Sequence, residues 1–248
     1  MDFVVTGGAG FIGSHIAKHL VSTGHSVTIF DDLSNGKKDN LDSIIGKIDF
    51  VNGDIRNFES LKSTLKNTDG VFHEAALASV QESFSKQQEY HDVNVKGTEN
   101  VLKLGKEFGF KIVYASSSSI YGNPSKIPIE EDDPKNPINP YAQTKLDDEN
   151  LAIKYAQMGV RVIGLRYFNV FGERQSPTYA GVIKKFVKKV RNNEPPIING
   201  DGQQTRDFVY VGDVVQANIL AMKSNVDHGF FNIGTGSTIT VLELANLI

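Results

Sequence analysis

The chain has 248 residues, of which 40% are hydrophobic and 22% are charged, with a formal net charge of −3. This length can bury one large core, or a large domain with a smaller lobe, and the charge argues against nucleic-acid or membrane-surface partners. Zero cysteines exclude disulfides, thiolate metal ligands and cysteine nucleophiles. We therefore expect a cytoplasmic protein with a small-molecule partner, without a metal site, export signal or membrane span.

Short apolar segments alternate with helical patterns over the first two thirds of the chain. We predict strands at 3–5, 26–30, 49–52, 70–74, 111–116 and 161–167, and helices at 12–22, after Asn40, at 58–65, within 90–108 and at about 141–158. This alternation is typical of an α/β fold with a doubly wound parallel sheet covered by helices on both faces. A Pro-rich stretch at 123–140 interrupts the pattern and is long enough to suggest a functional loop.

The pattern is less regular beyond residue 168. We predict helices at 180–192 and 211–224 and strands at 197–198, 206–210 and 229–232. We therefore divide the chain into a sheet domain at 1–168 and a smaller lobe at 169–248, with 206–224 packing back onto the first domain. Thr240 and Glu243 form a capping-box pattern that opens a last helix, which stops after about two turns. We expect the smaller lobe to be incomplete at this end.

A glycine-rich segment, Gly-Gly-Ala-Gly-Phe-Ile-Gly at 7–13, lies between the first predicted strand and the first predicted helix. Gly7, Gly10 and Gly13 permit a tight turn, a close approach of backbone to a pyrophosphate and close helix packing. The helix N-terminus offers free N–H groups to the phosphates. A purely structural turn is the alternative, but the strand-loop-helix context favours a dinucleotide-binding, Rossmann-type domain.

Acidic residues follow the second and third predicted strands. Asp31 lies about 20 residues beyond the loop, where a carboxylate meets the hydroxyls of the adenosine ribose. Asp31 and Asp32, with no arginine nearby, would repel a 2′-phosphate, so the sequence favours NAD over NADP. Asp54 is a candidate contact to the adenine. Ordinary turn residues are the alternative for all three.

Tyr141 and Lys145 are spaced i, i+4 on a predicted helix and project from one face. A nearby ammonium and a positive nicotinamide ring would favour the phenolate form of Tyr141, which could then shuttle a proton. The four serines at 116–119 follow a predicted strand at the edge where doubly wound folds bind ligands, so one hydroxyl can contact a substrate. A surface Tyr-Lys pair and a serine-rich turn are the alternatives.

Further motifs occur in order along the whole chain. They are TGGAGFIGS (6–14), GDIR (53–56), HEAA (73–76), NVKGT (94–98), SSSSIYG (116–122), PYAQTK (140–145), RYFNVFG (166–172) and QTRDFVYV (204–211). Together they resemble the extended short-chain dehydrogenase/reductases of the NAD-dependent epimerase/dehydratase family. The resemblance is greatest to the nucleotide-sugar 4-epimerases, which act on UDP-glucose or UDP-N-acetylglucosamine.

The resemblance implies roles for individual residues. Tyr141 would be the acid/base, Lys145 its partner and Ser117 the catalytic hydroxyl. The implied NAD contacts are Gly7, Gly10, Phe11, Ile12, Gly13, Asp31, Asp32, Asn35, Asp54, Ile55, Ala75, Ala76, Leu77, Asn94, Tyr141, Lys145 and Phe168. The implied UDP-sugar contacts are Ser79, Ser117, Ser118, Tyr141, Asn169, Val182, Asn199 and Arg206. Asn169 and Arg206 would hold the diphosphate, although a salt bridge from Arg206 to Asp207 or another acid is the alternative.

The implied reaction inverts C4 of a UDP-hexose through a transient 4-keto sugar, with bound NAD taking and returning the hydride. Related dehydratases and decarboxylases carry acidic residues directly after the position of Ser117, where this chain has Ser118 and Ser119. Without a carboxylate there, dehydration is disfavoured. The alternatives are another NAD-dependent nucleotide-sugar enzyme, such as a uronic acid epimerase, dehydratase or decarboxylase, or a non-catalytic NAD-binding protein.

Two further expectations come from the resemblance. Family members form homodimers, which we expect here. They also continue for several elements beyond the helix that begins at Thr240, and those elements help to close the sugar pocket. We therefore expect weak activity or none from a monomer of this chain, unless another subunit completes the pocket.

Overall fold

The computed structural model describes residues 1–175 and 181–248. The strands of this part of the chain are β1 (Asp2–Thr6), β2 (Ser26–Asp31), β3 (Asp49–Asn52), β4 (Gly70–His73), β5 (Lys111–Ser117), β6 (Val162–Tyr167), β7 (Asn169–Phe171), β8 (Thr205–Arg206), β9 (Phe208–Tyr210), β10 (His228–Ile233) and β11 (Ile239–Thr240). The α-helices are α1 (Phe11–Ser22), α2 (Phe58–Leu65), α3 (Val80–Ser85), α4 (Gln87–Tyr90), α5 (Gly97–Phe108), α6 (Pro140–Ala156), α7 (Val182–Arg191), α8 (Val211–Lys223) and α9 (Val241–Leu247).

Seven of the described strands form one parallel sheet, in the order β10-β6-β5-β4-β1-β2-β3. Helices cover both faces. Val5 of β1 packs on the side of α1 and α8, and its neighbour Val4 packs on the side of α2, α5 and α6. Because both faces are buried, the central strands are continuous apolar runs, and every residue of β6 is buried. The predicted doubly wound α/β fold is confirmed.

The smaller lobe contains α7, α9 and a short antiparallel pair, β8 with β11. Its core joins Phe186 of α7 to Val241 and Leu244 of α9. A second short pair, β7 with β9, connects this region to the sheet domain. The predicted capping box is present, since Thr240 accepts from the amide of Glu243 and the carboxylate of Glu243 accepts from the amide of Thr240.

The prediction of a strand at 197–198 is wrong. Residues 194–199 form no regular element. The preceding Pro195 and Pro196 lack backbone donors, which disfavours pairing in a sheet. Ile198 instead packs against the core of the smaller lobe.

Several predicted elements need smaller corrections. The helix after Asn40 is a 3₁₀ helix, Lys38–Lys47. The predicted strand at 206–210 is divided at Asp207 into β8 and β9. The helix predicted from Ala180 begins at Val182, and Ala180 itself lies outside the described residues. The long helix predicted within 90–108 contains a π-helical turn, His91–Lys96.

The position of β10 also differs from the sequence interpretation, which placed its residues in the smaller lobe. β10 pairs with β6 and so extends the central sheet. α8 contacts α1. The division of the chain at residue 168 itself stays a prediction. Among the described residues, no helix combines the length and apolar character needed to span a bilayer.

Candidate active site

A cleft with a volume of about 1840 Å³ lies along the carboxyl edge of the sheet and continues under the smaller lobe. The parallel sheet accounts for its position, because β1, β4, β5 and β6 all end at this edge. The cleft brings together many of the residues singled out from the sequence, namely Gly7, Gly10, Phe11, Ile12, Gly13, Asn35, Ala76, Ser117, Ser118, Tyr141, Lys145, Phe168, Asn169, Val182, Asn199 and Arg206.

The glycine-rich loop fits a bound dinucleotide. Gly7 has a φ of +66°, and a Cβ there would lie 2.6 Å from the backbone nitrogen of Ala75. A Cβ at Gly13 would lie 2.4 Å from the carbonyl oxygen of Gly7. The first turn of α1 has no acidic residue and no side-chain cap. Its N–H groups and the positive end of the helix dipole are therefore available to a pyrophosphate.

We expect Gly13→Ala to weaken NAD binding about tenfold or more, because the added methyl meets backbone atoms that cannot yield without opening the loop. Gly46→Ala is the matched control, since a Cβ at Gly46 meets nothing within 4 Å. Titration of each variant with NAD checks the difference. Equal affinities for the two variants would contradict the loop assignment.

The acidic residues of the predicted adenosine end have their own partners in the protein. Asp31 accepts hydrogen bonds from the amides of Ala9 (2.9 Å) and Leu33 (2.8 Å), which fix its carboxylate beside the loop. Burial raises the pKa of Asp31, although these hydrogen bonds oppose the shift. Asp32 is exposed, and its Oδ1 accepts hydrogen bonds from the amide and the hydroxyl of Ser34. The direct contacts of both residues with NAD stay predictions.

Asp54 forms a two-pronged ion pair with Arg56, with Nε–Oδ distances of 2.9 and 3.0 Å. The hydrogen bond from Arg56 lowers the pKa of Asp54. Ile55 is buried against Gly97 rather than in the large cleft. The cleft does not include Asp31, Asp32, Asp54, Ile55, Ala75, Leu77, Ser79 or Asn94.

The side chain of Asn94 is hydrogen-bonded to other parts of the protein. The sequence patterns had not indicated these contacts. Asn94 is fully buried, its Oδ1 accepts from the amide of Leu77 (2.8 Å), and its Nδ2 donates to Leu77 O and to Thr144 Oγ1 (both 3.0 Å). Thr144 in turn donates to the carbonyl of Tyr141 (2.8 Å). Asn94 thus links the segment after β4 to the first turn of α6. Ser79, another predicted contact, caps α3.

Ser117, Tyr141 and Lys145 line one part of the cleft. Asn139 caps α6 by accepting from the amide of Ala142 (2.8 Å), so Tyr141 lies in the first turn, where the helix dipole favours a negative charge. Lys145 is 4% exposed, and its Nζ donates to the carbonyl of Ala115 in β5 (2.9 Å). This bond fixes the ammonium on the strand that ends with Ser117.

The serine run divides by role. Ser116 donates to Glu149 (2.7 Å) in the interior and is not available to a ligand. Ser117 lies at the cleft, where its Oγ accepts from the amide of Ser119 (3.2 Å). Ser119 Oγ is buried without a hydrogen-bond partner among the described residues. The serine pattern left the choice among the four hydroxyls open, and the resemblance implied Ser117. Ser116 differs from Ser117 because its hydroxyl donates to Glu149.

Three titratable groups near Lys145 have shifted pKa values. Burial, and then the charge of Lys145, lower the pKa of His73 to about 3, and its ring nitrogens are hydrogen-bonded to Thr6 (2.6 Å) and Thr98 (2.9 Å). Burial raises the pKa of Asp148 to about 7, although Lys145 lies 3.5 Å away and opposes the shift. Burial also raises the pKa of Glu74 to about 8. The sequence analysis did not assign a role to Glu74. The feature that could have indicated one is its carboxylate at the end of the predicted apolar strand at 70–74.

The cleft is also lined by residues that follow β6 in the chain, including Asn169, Val182, Asn199 and Arg206. Arg206 is exposed, and its guanidinium donates to the carbonyl of Thr205 (2.7 Å). The alternative salt bridge to Asp207 is not formed, because that carboxylate accepts from the amides of Thr235 and Gly236 instead. Asn169 donates to the carbonyl of Asp207 (2.9 Å). No carboxylate pairs with Arg206 among the described residues, and its contact with a diphosphate stays a prediction.

The fold and the site together define a dinucleotide-binding enzyme of the short-chain dehydrogenase type. The chain belongs to the NAD dependent epimerase/dehydratase family, whose pattern it matches over residues 3–234. NAD as the predicted cofactor is confirmed.

Individual relatives cover nearly the whole chain. It is 44% identical over 250 residues to a putative UDP-glucose 4-epimerase of Methanocaldococcus jannaschii, covering 99% of this chain and 80% of the relative. It is 37% identical over 249 residues to a UDP-N-acetyl-alpha-D-glucosaminuronate decarboxylase of Bacillus cytotoxicus, covering 98% and 77%. Its structure resembles a UDP-N-acetylglucosamine 4-epimerase of Methanobrevibacter ruminantium with a TM-score of 0.94 and 38% identity, covering 99% and 80%.

Proposed function

We propose that the protein is a nucleotide-sugar 4-epimerase that inverts C4 of a UDP-hexose. The observation that carries the proposal is the meeting of Ser117, Tyr141 and Lys145 with the glycine loop in one cleft, which Arg206 also lines. Ser117, Tyr141, Lys145 and a cofactor on the glycine loop suit proton and hydride transfer at a carbinol carbon. Arg206 suits a diphosphate.

The residues divide the chemistry as follows. The glycine loop would hold NAD, which would supply a reversible hydride acceptor for the sugar. Ser117 orients the reacting hydroxyl, and Tyr141 takes its proton and later gives it back. Lys145, held by the carbonyl of Ala115, stabilises the phenolate of Tyr141 by its charge. Arg206 and Asn169 hold the diphosphate while the sugar turns over.

The relatives and similar structures include a decarboxylase and a dTDP-glucose 4,6-dehydratase, so a choice among these reactions needs a structural argument. A dehydratase requires an acid to protonate a leaving hydroxyl. Ser118 and Ser119 supply no carboxylate next to Ser117. Epimerisation needs only the proton shuttle that Tyr141 and Lys145 provide, and we favour it for that reason.

The test is incubation of the purified protein with UDP-glucose, UDP-N-acetylglucosamine and UDP-glucuronate, without added NAD, followed by separation of the 4-epimers. We expect conversion of a hexose or N-acetylhexosamine substrate without loss of water or CO₂. Release of CO₂ or appearance of a 4-keto-6-deoxy sugar would overturn the proposal in favour of a decarboxylase or dehydratase. The dimeric state that we also propose is tested by light scattering on the same sample.

A further inference from the structure

Glu74 is a carboxylate that the proposed chemistry does not use, although it lines the cofactor cleft. It follows β4 directly, and the neighbouring backbone lies against the glycine loop, since a Cβ at Gly7 would be 2.8 Å from the carbonyl carbon of Glu74. Its side chain is half-buried. The residue therefore lies between the dinucleotide loop and the site of Tyr141 and Lys145.

The hydrogen bonds of Glu74 fix its orientation. Tyr167, from the adjacent part of the sheet edge, donates its hydroxyl proton to Oε1 of Glu74 (3.0 Å). That hydroxyl in turn accepts from Nδ2 of Asn218 in α8 (2.7 Å). Because Asn218 supplies a donor to the Tyr167 oxygen, the tyrosine proton is left for Glu74. The carboxyl group of Glu74 can therefore gain or lose a proton on its other oxygen, Oε2, while Oε1 keeps its hydrogen bond from Tyr167.

The charged and titratable groups around Glu74 leave it without a close counter-ion. Lys145 on α6 is the nearest cation, but its Nζ contacts Ala115 O and Asp148, and it forms no ion pair with Glu74 within the described residues. Tyr167 on β6 is buried, and its pKa is raised well above the ordinary value by burial. His73 on β4 is neutral. Burial therefore dominates, and Glu74 keeps a proton near neutral pH.

A positively charged nicotinamide entering this cleft would add a second cation to that of Lys145. Two cations in a partly buried site repel each other, and a carboxylate on the cleft wall would offset that repulsion. We propose that Glu74 supplies it: Glu74 releases a proton to solvent when NAD⁺ binds, so that its carboxylate favours the oxidised cofactor over NADH. This inference rests on the proposed function only in requiring NAD in the cleft, not in the choice of sugar.

The sign of the pH dependence follows from linkage. If NAD⁺ binding favours the ionised carboxylate, the affinity for NAD⁺ rises with pH by up to about tenfold per unit until Glu74 is ionised in the free protein, near pH 8. NADH carries no ring charge, so its affinity does not follow this rise. The ratio of NAD⁺ affinity to NADH affinity therefore increases between about pH 6.5 and pH 8.5.

The experiment measures that ratio on the full chain by displacing bound NADH with NAD⁺ and following nicotinamide fluorescence from pH 6 to 9. We expect the ratio to rise several-fold to about tenfold in the wild type and to stay flat in Glu74→Gln, which keeps the acceptor for Tyr167. Glu59→Gln, an exposed residue of α2, controls for the change in net charge. Equal pH profiles for wild type and Glu74→Gln would overturn the proposal.

Tyr141 is the other group that could release a proton when NAD⁺ binds, and Tyr141→Phe separates the two. Calorimetry in two buffers of different ionisation enthalpy counts the protons released per NAD⁺ near pH 7.5. We expect release to persist in Tyr141→Phe and to fall in Glu74→Gln, and the reverse result would assign the proton to Tyr141. Failure of the protein to epimerise any UDP-sugar would leave these binding results unchanged, so the two proposals are tested separately.

Unfolding of the cofactor-free protein gives a readout that involves no ligand. Since the folded protein keeps a proton on Glu74 that the unfolded chain loses above its ordinary pKa of 4.5, the free energy of unfolding falls as pH rises from about 4.5 to about 8. We expect Glu74→Gln to reduce this fall. Asp148 contributes a fall of the same sign up to about pH 7, which both proteins share.

Discussion

Replacement of Tyr141 by Phe is expected to lower turnover of the UDP-sugar substrate by about 10²–10⁴-fold, the usual contribution of a positioned acid/base. The phenol lies in the first turn of α6, and the ammonium of Lys145 follows one turn later on the same face. Phe keeps the ring and its packing but removes the phenolic oxygen that we assign to proton exchange with the sugar hydroxyl. The loss should therefore appear in kcat, with little change in KM.

The measurement is conversion of UDP-glucose and UDP-N-acetylglucosamine, with a single-turnover arm that follows nicotinamide fluorescence on addition of substrate. The single-turnover arm remains informative where steady-state conversion is slow. Tyr155→Phe is the matched control, because its hydroxyl lies near the other end of α6 and contacts Glu99 at 3.4 Å. Normal turnover by Tyr141→Phe would remove Tyr141 from the acid/base role.

The sequence predicted the sheet domain well because its signals are local. Each strand is a short apolar run, and the glycine loop, the serine run and the Tyr-Lys pair each occupy a few consecutive residues. The parallel topology then places them at one edge without further information. Much of the candidate site could therefore be predicted before its geometry was known.

Features that depend on distant pairing could not be predicted in this way. β10 joins the central sheet beside β6, some 60 residues earlier in the chain, and no local pattern states which strand a segment will pair with. The predicted strand at 206–210 is interrupted at Asp207, whose carboxylate accepts hydrogen bonds from the distant amides of Thr235 and Gly236. The role of Asn94 depends on Leu77 and Thr144, and the environment of Glu74 depends on Tyr167 and Asn218.

The largest expected effect on stability lies in another such feature, a buried ion pair beneath the active site. Arg166 on β6 is 2% exposed and binds Glu149 of α6 through two hydrogen bonds, of 2.8 and 2.9 Å. Its remaining donor group reaches Tyr121 Oη (2.6 Å) and the carbonyl of Glu131 in the Pro-rich loop (2.7 Å). Ser116, next to Ser117, also donates to Glu149. The pair thus ties the serine run and the loop to the sheet.

Arg166→Met should lower the free energy of unfolding by about 3–5 kcal/mol, because it leaves the carboxylate of Glu149 buried without a counter-ion. The double variant Arg166→Met/Glu149→Leu should recover most of this loss, since an apolar pair of similar volume replaces two desolvated charges. Urea unfolding of the two single variants and the double variant measures the coupling. Arg161→Met, an exposed residue just before β6, is the control and should change stability by less than about 1 kcal/mol.

In the double variant, we expect the free energy of unfolding to recover while binding of the UDP-sugar stays impaired. The fold is restored, but Tyr121 and the carbonyl of Glu131 have lost their donor, so the Pro-rich loop that lines the cleft is held less firmly. We expect KM for the UDP-sugar to stay raised while NAD affinity returns to that of the wild type, because the hydrogen bonds of Arg166 and Glu149 given above do not involve the glycine loop. Full recovery of both stability and KM would show that the ion pair serves folding alone.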